Sequence, residues 1–273
     1  PGQIEYVAGV AEDKEEFGRR VYAQSEWEGI GGAEEVVVIG DGAKWVWGLA
    51  EEHFPSAVQI LDFYHASRHL WEAAEVIWGE SSEEGREAVK RWEDKLLAGG
   101  VWEVIEELKR WAKRKRGEKR EKLRRQVGYF SRNAERMRYD EYLVAGMHIG
   151  SGVAESACRH ILGRLKGAGK RWRIDTAQAV ATILCTQKSR WREHIWRQSL
   201  RPAAYPDFDS YWRGMGGGGG ESARIARGAL FGHCILCWQL FVLMGLTGGS
   251  VGFIMHDKCI RSLPPSSKAS VAI

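Results

Sequence analysis

Residues 35–45 read EVVVIGDGAKW, and the expected architecture grows outward from them. Positions 36–40 carry no charge, and four of the five are Val or Ile. A continuous β-branched run with no polar alternation is a strand buried on both faces. It ends in Asp41-Gly42, a turn pair, and residues 42–53 then follow a helical pattern. Pro55 punctuates, AVQIL (57–61) is a second buried strand ending at Asp62, and residues 64–78 place Leu70, Ala73, Ala74 and Ile77 at helical spacing. Strand, helix, strand, helix predicts an α/β layer with parallel pairing.

On the N-terminal side, IEYVAGV (4–10) is β-prone, and residues 11–29 space Phe17, Val21 and Tyr22 as a helix does. On the other side the strands stop from 82 to about 143. There Val101, Val104, Ile105, Leu108 and Trp111 keep an amphipathic rhythm after the Gly99-Gly100 break. Residues 108–138 hold fourteen Lys/Arg against three Glu and read as helical too. Ser151 is a plausible cap for a helix over 153–166, and Asp175 with Gln178 has the spacing of a capping box opening a helix to about 197.

A chain of 273 residues, 44% hydrophobic and 28% charged, is globular and large enough for a real core, which excludes disordered, collagen-like and coiled-coil classes. Its net charge of +4 conceals segregation. Residues 1–107 hold 24 Asp/Glu against 9 Lys/Arg, whereas 108–201 hold 25 Lys/Arg against 8 Asp/Glu. So basic a half points to a polyanion, with nucleic acid first. Five scattered cysteines predict no disulfide framework and a reducing compartment. Pro1 is followed by no secretory pattern, and the missing Met suggests that sequence upstream is not included.

The last seventy residues differ in kind. Five glycines (216–220) form a linker, and 228–255 contain no Asp, Glu, Lys or Arg. That stretch is long enough to span a bilayer, yet six Gly, His233 and Gln239 interrupt it. Three readings stay open: a loosely packed or foreign appendage, a membrane span, or a buried element.

Several residues are candidates for chemistry. Asp41 sits just beyond a buried strand, where ligands of open α/β sheets gather, and its carboxylate suits a hard divalent cation; an ordinary Asp-Gly turn is the alternative. Asp62 and His65 follow the next strand end, as a metal pair or as a helix cap beside a satisfied histidine. His69 shares a helical face with His65, a zinc-compatible spacing without the intervening Glu that would sharpen it. Glu155 is a third carboxylate or a first-turn Glu favoured by the helix dipole. Cys234 and Cys237 next to His233 form a C-x-x-C with no second cysteine pair, a poor zinc site. Tyr129, Phe130, Tyr139, Trp172, Trp191 and Trp196 lie within the basic segments, as base-stacking platforms or as core.

VVVIGDGAKWVW, FPSAVQILDFYHASRHLW, a long helical insertion, and then GSGVAESACRHILGRLKGAGKRW resemble in that order the DDE transposases of bacterial insertion sequences, nearest the Kra-type branch and more distantly the Mutator-like elements. The resemblance covers about residues 1–197. It implies an RNase H-like α/β core interrupted by an all-α insertion. The core would occupy 1–80, the insertion 81–148 and the last core helices 149–200, with 201–273 a Gly-rich linker and apolar tail of open status. It implies that three acids hold two Mg²⁺ ions, with Mn²⁺ as a substitute, for DNA end cleavage and strand transfer by phosphoryl transfer. Asp41 would be the second acid and Glu155 the third, both metal ligands, with Asp62 and His65 in support as the D-x-x-H signature. Lys113, Arg114, Lys115, Arg116, Arg159, Arg164, Lys166, Lys170 and Arg171 would bind DNA.

The family's first acid lies on a strand upstream of the matched region, and Asp13, within the helix-forming AEDKEEF, does not take its place. The expected chain is therefore an N-terminally truncated mobile-element enzyme that binds DNA and does not cut it efficiently alone. A homo-oligomer on paired DNA ends, a nucleoid-associated cytoplasmic location and no small-molecule cofactor complete the expectation, with membrane association disfavoured. The alternatives are an RNase H-like nuclease or resolvase, a non-catalytic DNA-binding remnant and, third, a membrane-tethered protein resting on 228–255 alone.

Overall fold

The computed structural model describes residues 4–150, 152, 158–166, 170–189, 237–245 and 250–259, the last two segments as backbone. Five strands form one sheet: β1 (Ile4–Val10), β2 (Glu35–Gly40), β3 (Val58–Leu61), β4 (Cys237–Gly245) and β5 (Ser250–Cys259). Their order is β1-β4-β5-β2-β3. β4 is antiparallel to both neighbours, while β5, β2 and β3 run parallel. The class is mixed α/β. The uncharged run 36–40 lies within β2, where Val37, Val38 and Ile39 are buried as a two-sided strand requires.

Helices follow the strands as the periodicity predicts. α1 (Lys14–Trp27) connects β1 to β2, α2 (Lys44–His53) connects β2 to β3, and α3 (Phe63–Trp78) leaves β3. Asp13 caps α1, its Oδ1 accepting from Glu15 N at 2.7 Å, which is a structural role. The insertion is α4 (Glu83–Leu97), α5 (Val101–Arg114), α6 (Gly117–Asn133) and α7 (Tyr139–Val144). The stripe Val101, Val104, Ile105 and Leu108 is buried, and Trp92 is wholly enclosed beside Trp78, their ring centroids 5.8 Å apart. One apolar core runs continuously from the sheet into the insertion.

The tail contributes strands rather than a span. Residues 237–245 and 250–259 form the β4–β5 hairpin in the middle of the sheet. Two apolar runs broken by Gly248-Gly249 have the pattern of a hairpin, and among the described residues no helix is long and apolar enough to cross a membrane. Strands from both ends of the chain therefore share one sheet.

Both sheet edges are closed by side chains. On β1, Tyr6 N donates to Ser189 Oγ at 3.0 Å and Val10 N to Gln178 Oε1 at 2.8 Å, while Gln178 Nε2 donates to Ala8 O at 2.9 Å. Gln178 lies on the last described helix, α9 (Ile174–Lys188), after the short α8 (Gly163–Leu165). The expected capping box is not formed: Arg173 is the N-cap residue without a side-chain bond, and Asp175 in the first turn accepts from Thr176 N. Gln178 is occupied instead with β1, because an edge strand offers unpaired main-chain groups that a nearby amide can satisfy in both directions. The cap at Ser151 falls outside the described residues.

Deleting residues 237–273 would leave β1 and β2 with unpaired facing edges, about 14 Å apart at three strand spacings. Hydrogen exchange should show protection lost at residues 5–9 and 36–39, with cooperative melting weakened. Unchanged melting and protection in the truncated chain would show that the hairpin is dispensable.

Candidate functional site

Two aspartates follow adjacent parallel strand ends. Asp62 N donates to Gly40 O at 2.8 Å, so the main chain at Asp62 is joined directly to the residue before Asp41. Both are buried, Asp41 at 8% and Asp62 at 1% exposure. Each uses one carboxylate oxygen in its own turn: Asp41 Oδ1 accepts from Ala43 N at 3.0 Å, and Asp62 Oδ1 accepts from Tyr64 N at 3.0 Å as the cap of α3. Asp62 Oδ2 lies 3.7 Å from Nδ1 of the buried His65. Phe63 N donates to Ile149 O at 2.9 Å, which ties residues 149–150 to this turn. Glu155 lies outside the described residues.

The insertion grips these strand ends. Tyr129 of α6 donates its hydroxyl to Asp41 O at 3.0 Å, and its ring fills the space over Gly42. Gly42 has φ +91°, and a Cβ there would fall 2.8 Å from Tyr129 Cε2, so only glycine suits this turn. Tyr139 donates to Leu61 O at 2.9 Å and Arg136 Nε to the Gln59 side chain at 2.7 Å, covering the outer edge of β3. Burial, with Asp41 and Asp62 adding to it, pushes the Tyr129 phenol far above its ordinary range, and burial does the same to Tyr139. Both hydroxyls stay protonated and remain donors.

The Tyr129 ring also packs on His69 of α3, with centroids 3.7 Å apart. Gln126 Nε2 donates to Glu72 Oε2 at 3.0 Å, so its Oε1 faces His69 Nδ1 at 2.8 Å and that nitrogen carries the proton. His69 thus uses Nδ1 for Gln126, which leaves only Nε2 of its ring uncommitted by that bond. Among the described residues no three His, Cys, Asp or Glu side chains come together to hold a metal. The described carboxylates are hard oxygen donors of the kind Mg²⁺ takes, but they do not make a complete ligand set. The C-x-x-C with His233 lies outside the described residues apart from the Cys237 backbone.

Of the basic residues anticipated at a DNA surface, Lys113, Arg114, Arg116, Arg159, Arg164, Lys170 and Arg171 are exposed. Lys115 is half-buried, donating from Nζ to Ile77 O at 2.8 Å and lying over Trp111, so it braces α3 against the insertion. Lys166 is half-buried, and Lys170 donates to Arg164 O at 2.6 Å. The surface continues along α6 through Lys119, Arg120, Arg124 and Arg125, all exposed. Their spacing against buried Leu123 and Phe130 is the sequence signal that marks this face. Tyr129, Phe130 and Tyr139 are core rather than base platforms, and Trp172 is half-buried with Nε1 donating to Leu165 O at 3.0 Å. Trp191 and Trp196 fall outside the described residues. Compared with known proteins, the chain matches no family model, no curated protein and no solved structure.

The turn at Gly42 and the buried imidazole of His69 are both open to measurement. Gly42→Ala meets a left-handed backbone as well as the Tyr129 ring, and should cost about 1–3 kcal/mol in urea unfolding; a neutral substitution would show that the turn adjusts freely. Burial holds the His69 imidazole below its ordinary value, opposed by Gln126 and Glu72 and reinforced by His65 and Arg68. Below about pH 6.5 the unfolded chain takes a proton that the folded chain resists, so stability is full above that pH and falls as pH drops towards the folded value. Melting temperature should decline from pH 7.5 to 5.5, and His69→Gln should flatten the decline. An identical slope in the variant would assign it elsewhere.

Proposed function

We propose that this chain is the catalytic region of a DDE-type DNA transposase of the insertion-sequence class, acting on DNA by phosphoryl transfer. The observation that carries the reading is the pair of buried carboxylates, Asp41 and Asp62, at the ends of adjacent parallel strands joined by the Asp62 N to Gly40 O bond. The strand order adds support. An RNase H-like core has a central strand with an antiparallel neighbour on one side and parallel strands on the other, and β5 occupies such a place between β4 and β2.

In this reading Asp41 and Glu155 would hold Mg²⁺, or Mn²⁺ in its place, with Asp62 and His65 supporting them. A bound ion would supply Lewis-acid stabilisation of the phosphoryl oxygens. The protein's own residues supply position and charge. The Asp41 side chain is oriented by Ala43 N, the Asp62 side chain by Tyr64 N, and the exposed cations of α5 and α6 provide a surface for DNA phosphates. A homo-oligomer on paired DNA ends and a nucleoid-associated location belong to the same proposal.

A second reading, a non-catalytic DNA-binding remnant, is favoured by one feature: both carboxylates already serve their local turns. Incubating the full chain with a 3′-hydroxyl duplex and a supercoiled plasmid in Mn²⁺ separates the readings. Joined products that vanish in Asp41→Asn support the transposase, and cleavage without joining supports a nuclease or resolvase. Binding with neither reaction, unchanged in Asp41→Asn, supports the remnant. DNA affinity should fall steeply with salt, and replacing Arg116, Lys119 and Arg120 by Gln should reduce the log–log slope by about 1 for every phosphate that is no longer neutralised. A salt-independent interaction would remove the phosphate-binding role of this surface.

A further inference from the structure

The two halves of α6 face different tasks. Its first half is exposed and cationic, with Arg116, Lys119, Arg120, Arg124 and Arg125 open to solvent. Its second half is buried at the acid site through Tyr129 and Phe130. The helix is continuous over Gly117–Asn133, so Arg120 and Tyr129 are about 14 Å apart along one rod.

The first half is poorly stabilised by its own sequence. Its N-cap residue is Arg116, which makes no side-chain cap bond, and Gly117 follows with φ +55°. A cation at this end opposes the helix dipole. Arg116, Arg120 and Arg124 repeat at four-residue intervals, which sets like charges against one another along the helix. Glu118, in the first turn and paired with Lys122 at 2.8 Å, offsets part of this and leaves the Arg116, Arg120 and Arg124 row unrelieved by that pair. A line of phosphates would remove the repulsion and favour the formed helix over a frayed one.

The second half touches the turn that follows Asp41 and the helix that follows Asp62. Tyr129 donates to Asp41 O and covers Gly42, its ring lies on His69, and Gln126 one turn earlier bridges His69 and Glu72 of α3. We propose that α6 couples DNA binding along its basic first half to the Asp41 and Asp62 strand ends at its second half, with Tyr129 as the positioning residue. The proposal rests on the reading of the basic surface as a DNA site and adds regulation to it: the acid site is firmly set only when phosphates hold α6. The occupant is duplex DNA, identified by the charge complementarity of an extended cationic face.

The test is hydrogen exchange on the full chain with and without a duplex oligonucleotide. In the native chain, DNA should slow exchange at residues 117–126 and also at 40–45, the latter on the order of tenfold, as an ordinary coupling between sites would give. Tyr129→Phe keeps the ring over Gly42 and His69 and removes only the hydroxyl. It should bind DNA equally and retain the response at 117–126, but lose the response at 40–45. A purely structural tyrosine would change the free-state exchange and leave the DNA-induced difference intact, and that result would overturn the proposal. So would a native chain in which 117–126 respond to DNA and 40–45 do not. Arg120→Gln with Arg124→Gln, both at exposed positions, should weaken DNA binding and shrink both responses together, while slowing free-state exchange at 117–126 because the like-charge repeat is relieved. If DNA protects neither segment of the native chain, the DNA reading itself fails, and this proposal with it.

Discussion

A buried main-chain carbonyl needs a donor, and at the ends of β2 and β3 the donors are phenols from another part of the fold. The carbonyls of Asp41 and Leu61 accept from Tyr129 and Tyr139, residues 88 and 78 positions away in sequence. Leaving either without a partner would cost about 1–3 kcal/mol, more than the roughly 0.5–1.5 kcal/mol that such a bond contributes net. The sheet and the insertion are consequently not independent bodies. The opposite edge obeys the same constraint: among the described residues no strand pairs with the outer side of β1, and Gln178 and Ser189 bond its main chain instead. Edges closed in this way offer little template for pairing with other chains.

The charge segregation acquires a spatial meaning from that arrangement. The acidic first part supplies β1, β2, β3 and both aspartates at the strand ends, Asp41 and Asp62, while the basic part supplies the exposed face of α6 and the surfaces near Arg159, Arg164 and Arg171. The exposed cations of α6 and the buried carboxylates thus lie on different parts of the fold, the first facing solvent and the second enclosed at the strand ends. The cations that remain within the fold do other work. Lys115 ties the end of α5 to the Ile77 carbonyl, and Arg136 lies 4.5 Å over the Trp47 ring while reaching Gln59.

What could be read from the sequence was whatever is local. β2 and β3 declared themselves through uncharged β-branched runs, α3 and α5 through apolar spacing, and Asp41 and Asp62 through their place after a strand, because each of these signals acts within a dozen residues. The basic helix was harder. Tyr129 and Phe130 sit among arginines, and composition alone does not say which face of α6 is inward; the position of Leu123 does. Asp175 and Gln178 satisfied a local rule that lost to a long-range one, since Gln178 finds better partners on β1 than in its own first turn. The β4–β5 hairpin was least legible, because its place between β1 and β2 depends on pairing partners more than 200 residues away. A glycine break between two apolar runs was its only local trace.

The double duty of Asp41 and Asp62 bears on how any substitution there should be read. Each holds a turn with Oδ1, and an asparagine oxygen can accept the same bond, whereas alanine cannot. A loss seen with alanine alone therefore measures the turn, and a loss shared by asparagine measures the charge. Asp62 sharpens the distinction, because its second oxygen faces His65, a partner that tolerates an amide or a carboxylate by choice of tautomer. Any chemistry of the proposed kind at this site is thus separable from architecture by the conservative substitution.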